Sequence, residues 1–308
     1  MIRKKSKDIY ICYTLYHLLV SLIYCLLSNA RSKIVITTRI LDAKKLGQNI
    51  KEVFPQFEVE IVNDEDFTRG GFRYSSRVHE LFLSIVGVGN MHIFNESTQI
   101  GYYLHRNRIP YTLLEDGLNS LQHPNNKYHF SRKEELKYIL YNKPRHHGYS
   151  RFCRTIIVNE IKGIPIDSRQ KKLIEDPKEK LLSQLSFPNK EKLLYIFGMT
   201  PLKISDTAVI ILTQPLEDEF SDDLKKQVFW KSLIDKYISE GYNVYVKVHP
   251  RDSLDYSHFP VSILPKNVPA ELLDFVVDKQ FEIGVTYYST ALEFMNCVKE
   301  KIYLNWEK

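Results

Sequence analysis

Three short polar clusters in this 308-residue chain combine residue types that can do chemistry. The first is Glu115-Asp116-Gly117, which follows the apolar run 111–114. A carboxylate there can take the proton from an attacking hydroxyl, and Gly117 permits a tight turn with close backbone approach. The plainer reading is a turn or a helix cap. The second is Lys247-Val248-His249-Pro250-Arg251-Asp252. Strand alternation points Lys247 and His249 to one side. The histidine can then donate a hydrogen bond or proton to a phosphate leaving group, and the lysine adds charge. Here the plainer reading is a capped strand end with a surface histidine. The third, Tyr287-Tyr288-Ser289-Thr290, sets hydroxyls ahead of a helix expected over residues 291–298. Free N–H groups at such a start bind anions; an ordinary capping box from Thr290 to Glu293 is compatible with that role. A fourth stretch, Thr14-Leu15-Tyr16-His17, can contact a sugar or phosphate, or simply pack the first helix.

Each cluster falls where an expected strand stops. Strands are expected over residues 9–13, 34–38, 59–62, 91–94 and 111–114, with helices over 16–28, 46–53, 76–85 and 98–106 between them. A second alternating series has strands over 208–212, 244–248, 283–286 and 302–305, with helices over 223–240, 269–275 and 291–298. Such alternation predicts parallel, doubly wound sheets, and these bind ligands outside the carboxyl ends of their strands. The polar, lysine-rich stretch between the series reads as a connector. The expected organisation is an acceptor-side Rossmann-like domain over residues 1–165, a helical connector over 166–205 and a nucleotide-sugar-binding Rossmann-like domain over 206–308.

The chain is 44% hydrophobic and 26% charged, which suits a globular protein rather than a disordered one. The net charge of +6 favours anionic partners such as a nucleotide, an acidic glycan or an anionic membrane. No helix-turn-helix, zinc-finger or RNA-binding sheet signature accompanies it, so nucleic acid is not an expected partner. Cys12, Cys25, Cys153 and Cys297 form no CxxC pair, which points away from a zinc site or a disulfide framework and fits a reducing compartment. Residues 9–27 imitate a signal anchor behind Arg3, Lys4, Lys5 and Lys7, but Thr14, His17 and Ser21 interrupt the run, and a buried β-α-β unit is expected instead. The stretch 131–154 is basic and aromatic and reads either as an exposed insertion or as a contact surface for acceptor or membrane. The adjacent His146 and His147 are not expected to share a metal, since neighbouring positions point apart.

Taken in order, Glu115-Asp116-Gly117, His249-Pro250 and Ser289-Thr290 resemble the motif set of bacterial sialyltransferases: an acidic pair with glycine, an HP motif and a later serine-containing motif. The layout, with Leu212-Thr213-Gln214-Pro215, Lys247 to Asp252 and Leu264-Pro265-Lys266, is similar to glycosyltransferase family 52 over about residues 8–308. That family contains lipooligosaccharide and streptococcal capsular sialyltransferases. The resemblance implies a GT-B fold, two Rossmann-like domains facing across a cleft. It also implies inverting, metal-independent transfer from CMP-sialic acid to a sugar hydroxyl, such as a terminal galactose on a bacterial surface glycan, with no cofactor. By carry-over Asp116 is the general base and His249 serves the departing CMP phosphate. Ser289 and Thr290 hold that phosphate, and Pro250 shapes the nucleotide pocket. Glu115, Gly117, Lys247, Tyr288, Thr14 and His17 complete the expected substrate contacts.

The chain departs from the pattern in two places. Its last motif has one serine where some relatives have a pair, leaving Thr290 as the substitute. The loop Glu217-Asp218-Glu219 also follows a strand and is a second candidate for the base. Family relatives include transferases of neutral hexoses, so a UDP-hexose donor is an alternative, and a non-catalytic GT-B module is a third reading. The expected setting is cytoplasmic, with a lipid-linked or oligosaccharide acceptor. Peripheral contact with the inner face of the plasma membrane and a homodimer are both compatible with the sequence.

Overall fold

The computed structural model describes residues 7–28, 30–68, 76–87, 89–116, 119–122, 136, 140, 147–216, 219–220 and 222–304. Gly117, Glu217, Asp218 and most of the basic stretch 131–154 lie outside them. The chain divides into two compact units, Met1–Ile196 and Phe197–Lys308.

The first unit opens with β1 (Lys7–Cys12), α1 (Leu15–Leu27), β2 (Arg31–Thr37), α2 (Ala43–Val53) and β3 (Glu58–Val62). It continues with α3 (Asp64–Thr68), α4 (Ser76–Val86), β4 (Asn90–Ile93), α5 (Gln99–Arg106), β5 (Tyr111–Leu114) and α6 (Asn119–Gln122). After β6 (Cys153–Val158) come β7 (Leu173–Glu175), α7 (Lys178–Gln184) and α8 (Phe187–Ile196). The seven strands form one sheet in the order β3-β2-β1-β4-β5-β6-β7, every pair parallel. β1 sits centrally, with Ile11 opposite Val35 on one side and Ile93 on the other. Its apolar run is covered on both faces, as parallel strands require. α1 begins at Thr14, whose hydroxyl accepts from the His17 N–H, and it buries nine of its 13 residues. Thirteen residues rise about 20 Å, well short of a bilayer's hydrocarbon core; among the described residues no helix is long and apolar enough to cross a membrane. Within 166–205, read from composition as helical, β7 adds an edge strand to β6 before α7 and α8 follow.

The second unit has β8 (Ala208–Leu212), α9 (Asp223–Ser239), β9 (Asn243–Lys247), β10 (Ser262–Leu264), β11 (Phe281–Thr286) and β12 (Val298–Tyr303). Its sheet is also all parallel, in the order β10-β9-β8-β11-β12. Trp230, Ile234 and Tyr237 of α9 pack on Val209, Ile211 and Val246. Both sheets reverse direction of growth at their first strand, between β1 and β4 and between β8 and β11. Such a switch point opens a crevice at the carboxyl ends of the two strands.

One expected element is corrected. The helix placed over residues 291–298 is a single 3-10 stretch, Thr290–Phe294, and Val298 already belongs to β12. Asp274 explains the early stop: its carboxylate accepts from the backbone N–H groups of Asn296 and Cys297 at 3.0 and 2.8 Å. Those amides are drawn into another contact, and the chain leaves the helical path. Ser289 rather than Thr290 is the cap, with its Oγ accepting from Ala291 N–H at 3.3 Å.

Candidate functional site

In the second unit the register brings three strand ends level, since Leu212 stands opposite both Lys247 and Thr286. The residues just beyond them meet at the β8/β11 switch point and its flank. Thr213 Oγ1 accepts from His249 N–H at 3.1 Å, tying the end of β8 to the segment after β9. His249 Nδ1 accepts from Arg251 N–H at 3.1 Å. That bond requires a lone pair on Nδ1, so the ring proton sits on Nε2 and is available to an external acceptor. Burial, reinforced by the charges of Arg251 and Lys247, lowers the His249 pKa to about 4. At neutral pH His249 is therefore an uncharged donor through Nε2–H.

The turn that holds His249 is pinned from below by Asp252. Its N–H donates to His249 O at 2.9 Å, and its buried carboxylate accepts from Tyr256 OH at 2.8 Å and lies 3.7 Å from Lys226 Nζ. Lys266 Nζ donates to the Asp252 carbonyl at 2.8 Å. Pro250 is exposed at the tip. Lys247 is only 6% exposed, and among the described residues its Nζ donates to Val248 O at 3.3 Å. Burial, partly offset by Glu271 and aided by Lys266, lowers its pKa to about 8. A buried cation with so little compensation suits an incoming anion. Ser289 is half-buried and Tyr288 exposed at the end of β11. Only one 3-10 turn, Thr290–Phe294, stands behind them in place of the longer helix expected there.

In the first unit the ends of β1, β4 and β5 are likewise level, through Ile11 opposite Ile93 and Ile93 opposite Leu113. His17 Nε2 lies 2.6 Å from Asp116 Oδ1, joining residues 99 positions apart. His17 Nδ1 accepts from Tyr13 N–H at 3.2 Å, which leaves the proton on Nε2, directed at the carboxylate. The ring is 1% exposed and stacks on Phe94 at 4.0 Å. Asp116 is 32% exposed and offers its carboxylate to solvent. Burial works to raise its pKa, but His17, and then His147 and Arg39, more than offset it, and the net shift is downward. Glu115, by contrast, is buried; its Oε2 accepts from Asn159 N–H at 2.6 Å and lies 3.8 Å from Lys178 Nζ. Of the acidic pair, only Asp116 is presented outward. Thr14 is exposed, and its Oγ1 caps α1 at 3.1 Å from His17 N.

Sequence patterning did not single out Glu96, just beyond β4. It is buried, its carboxyl bonded to Tyr111 OH and to the Gly148 N–H, and burial raises its pKa to about 7. Gly101 lets α5 press directly on the Glu96 backbone, where a Cβ would fall 2.4 Å from the carbonyl oxygen. His147 lies close by, 3.2 Å from Ser97 Oγ. Gln214, just beyond the end of β8, has no chemical signal of its own in the sequence beyond its place in Leu212-Thr213-Gln214-Pro215. The alternative base loop contributes Glu219, which is exposed, to the described residues. Among the described residues no three His, Cys, Asp or Glu side chains are grouped so as to hold a metal ion.

The family model described as Glycosyltransferase family 52 matches residues 36–305. No curated protein matches the chain. Among solved structures, the wall teichoic acid polymerase TagF is similar over 94% of this chain and 68% of its own, at 10% identity and a TM-score of 0.50. A Methanocaldococcus jannaschii UDP-GlcNAc 2-epimerase, in complex with UDP-GlcNAc and UDP, is similar over 96% of this chain and 83% of its own, at 11% identity and a TM-score of 0.53. At such identities these neighbours bear on the fold alone, and the fold they share with this chain is GT-B: two Rossmann-like units.

Proposed function

The chain belongs to glycosyltransferase family 52, and on that premise we propose that it is an inverting sialyltransferase moving sialic acid from CMP-sialic acid to a sugar hydroxyl without a metal ion. The acceptor is a bacterial surface glycan ending in galactose. The observation that carries this reading is the pair of donors at the end of β9: buried Lys247, with one backbone acceptor, and His249, whose ring proton sits on Nε2. Both suit a leaving group that departs as a phosphate.

In this mechanism Asp116 takes the proton from the acceptor hydroxyl as its oxygen bonds to the anomeric carbon. The bond from that carbon to the CMP phosphate oxygen breaks through an oxocarbenium-like transition state, as in other glycosyl transfers. Its electron pair leaves on the phosphate. Neutral His249 stabilises that oxygen by hydrogen bonding, and Lys247 meets the added charge. His17 keeps Asp116 ionised and oriented. If the base comes from the Glu217-Asp218-Glu219 loop instead, Asp116 becomes an acceptor-binding residue.

The test is CMP release from CMP-sialic acid, with and without a galactose-terminated acceptor, in excess chelator. Acceptor-dependent release that is lost in Asp116→Ala and in His249→Ala supports the reading. Activity retained in Asp116→Ala but lost in Glu219→Ala moves the base. Stronger thermal stabilisation by UDP than by CMP replaces the donor by a UDP-sugar.

A further inference from the structure

Gln214 closes the β8 strand end, and its side chain crosses the switch point to β11. Its Oε1 accepts from Tyr288 N–H at 2.8 Å and stands 3.4 Å from Thr286 Oγ1. The Tyr288 amide can only donate, so the carboxamide is fixed with its oxygen toward β11. Reversing it would set NH2 against N–H. The Nε2 group is consequently turned away from β11. No described protein group accepts from it in the hydrogen bonds of the site, and it is not among the buried polar atoms lacking a partner. It is therefore open to solvent even though the residue is only 7% exposed.

The position of that NH2 group is set by the ladder. Leu212 is opposite Lys247, Thr213 N–H donates to Lys247 O at 3.1 Å, and His249 N–H reaches Thr213 Oγ1. Gln214 thus stands level with His249, one strand over, on the same side of the switch point but next to it. Three fixed donors belong to the adjoining ends of β8 and β9: Lys247 Nζ, His249 Nε2–H and Gln214 Nε2H2. Each is held by backbone atoms rather than by a flexible partner. A set of preorganised donors matches an anion with several oxygens.

We propose that Gln214 is a substrate-binding residue whose Nε2 donates to a phosphate oxygen of the nucleotide-sugar donor. This rests on the reading of the second unit as the nucleotide site. The same amide, by gripping Tyr288 N–H, sets the loop that carries Ser289 relative to that phosphate.

The experiment is calorimetric binding of CMP and UMP, and of cytidine and uridine, to the full chain and to Gln214→Glu. The glutamate keeps an oxygen for Tyr288 N–H and Thr286 but replaces the donor with a charged acceptor. The expected result is an unchanged melting temperature, at least a tenfold rise in Kd for whichever monophosphate binds, and no change for its nucleoside. Gln214→Met, which removes the amide without adding charge, should show the same order with a smaller loss. Monophosphate binding that is intact in both variants overturns the inference while leaving the nucleotide site standing. Equal losses for monophosphate and nucleoside overturn the phosphate contact. A wild-type protein that binds neither CMP nor UMP refutes the nucleotide reading itself, and the inference with it.

Discussion

Replacing Lys247 by methionine should stabilise the free protein and cripple it as a nucleotide binder. The side chain is buried, and its pKa falls from the ordinary 10.5 to about 8. At 1.36 kcal/mol per unit, holding the charge inside costs the folded state about 3 kcal/mol. The sign follows from proton counting. Below pH 8 the lysine is charged in both states and the full cost applies. Between pH 8 and 10.5 the folded state has released its proton while the unfolded chain has not, so the cost fades as pH rises. Methionine keeps most of the aliphatic volume and carries no charge. It loses the bond to Val248 O, worth about 1 kcal/mol, leaving a net gain of about 2 kcal/mol at pH 7. Losing a charge-assisted contact to phosphate should weaken nucleotide binding by roughly 10- to 100-fold. Denaturant unfolding followed by tryptophan fluorescence suits the measurement, because Trp230 lies in the core of the second unit. The expected pattern at pH 7 is a higher midpoint for Lys247→Met without ligand, a shrinking advantage toward pH 10, and CMP stabilisation only in the wild type. A lower midpoint at pH 7, or undiminished CMP stabilisation, would falsify the reasoning.

Two further outcomes concern the first unit. Removing His17 should lower kcat by roughly tenfold or more and move the acid limb of the kcat/KM profile to higher pH, because His17 is what holds the Asp116 pKa down. Part of the rate should return in His17→Gln, whose amide can donate from a similar place; an acid limb that stays put in His17→Ala would assign the ring to packing alone. Glu96→Gln should match wild-type stability near pH 4 and exceed it increasingly as pH rises through 7, by about 3 kcal/mol at the plateau, since the wild-type carboxyl with its raised pKa must ionise in a buried setting. Parallel thermal melts of the two proteins across pH 4 to 8 check this, and a constant gap would rule it out.

The strands that hold the candidate site are the ones a local reading finds. β1, β5, β8 and β11 are largely apolar runs stopped by polar clusters, and β8 is buried along its whole length, while in β4 and β9 Met91, Ile93, Val244 and Val246 alternate inward. The strands outside that reading lack the signal. β6 carries Arg154 and Thr155 and follows the basic stretch, while β7 and β10 have three residues each, mostly at the surface. The over-long helix after Thr290 failed because Asp274, some 20 residues earlier, takes the amides that would have extended it. The positions of Asp116 and His249 at strand ends were legible for the same reason as the strands. Their partners were not. His17 reaches Asp116 only because β5 and β1 flank β4 in one sheet, and Gln214 grips Tyr288 only because β8 and β11 are neighbours. Each is a consequence of strand order, which no local window contains.

That strand order also governs how the chain comes into being on the ribosome. β1 is the middle strand of its sheet, yet its partner β4 lies far along the chain: residue 11 pairs with residue 93. At about 5–20 residues per second, roughly 4 to 16 seconds separate the synthesis of the two. Through that interval Ile9, Tyr10, Ile11 and Cys12 have one edge unfilled, and α1 and β2, made immediately afterwards, are the first elements able to cover them. The second sheet repeats the delay on a similar scale, with Val285 meeting Ile211. Vectorial synthesis therefore makes the first strand of each unit, flanked on both sides in the finished sheet, wait longest for its second neighbour, and in the first unit α1, with nine of its 13 residues buried, acts as a temporary shield.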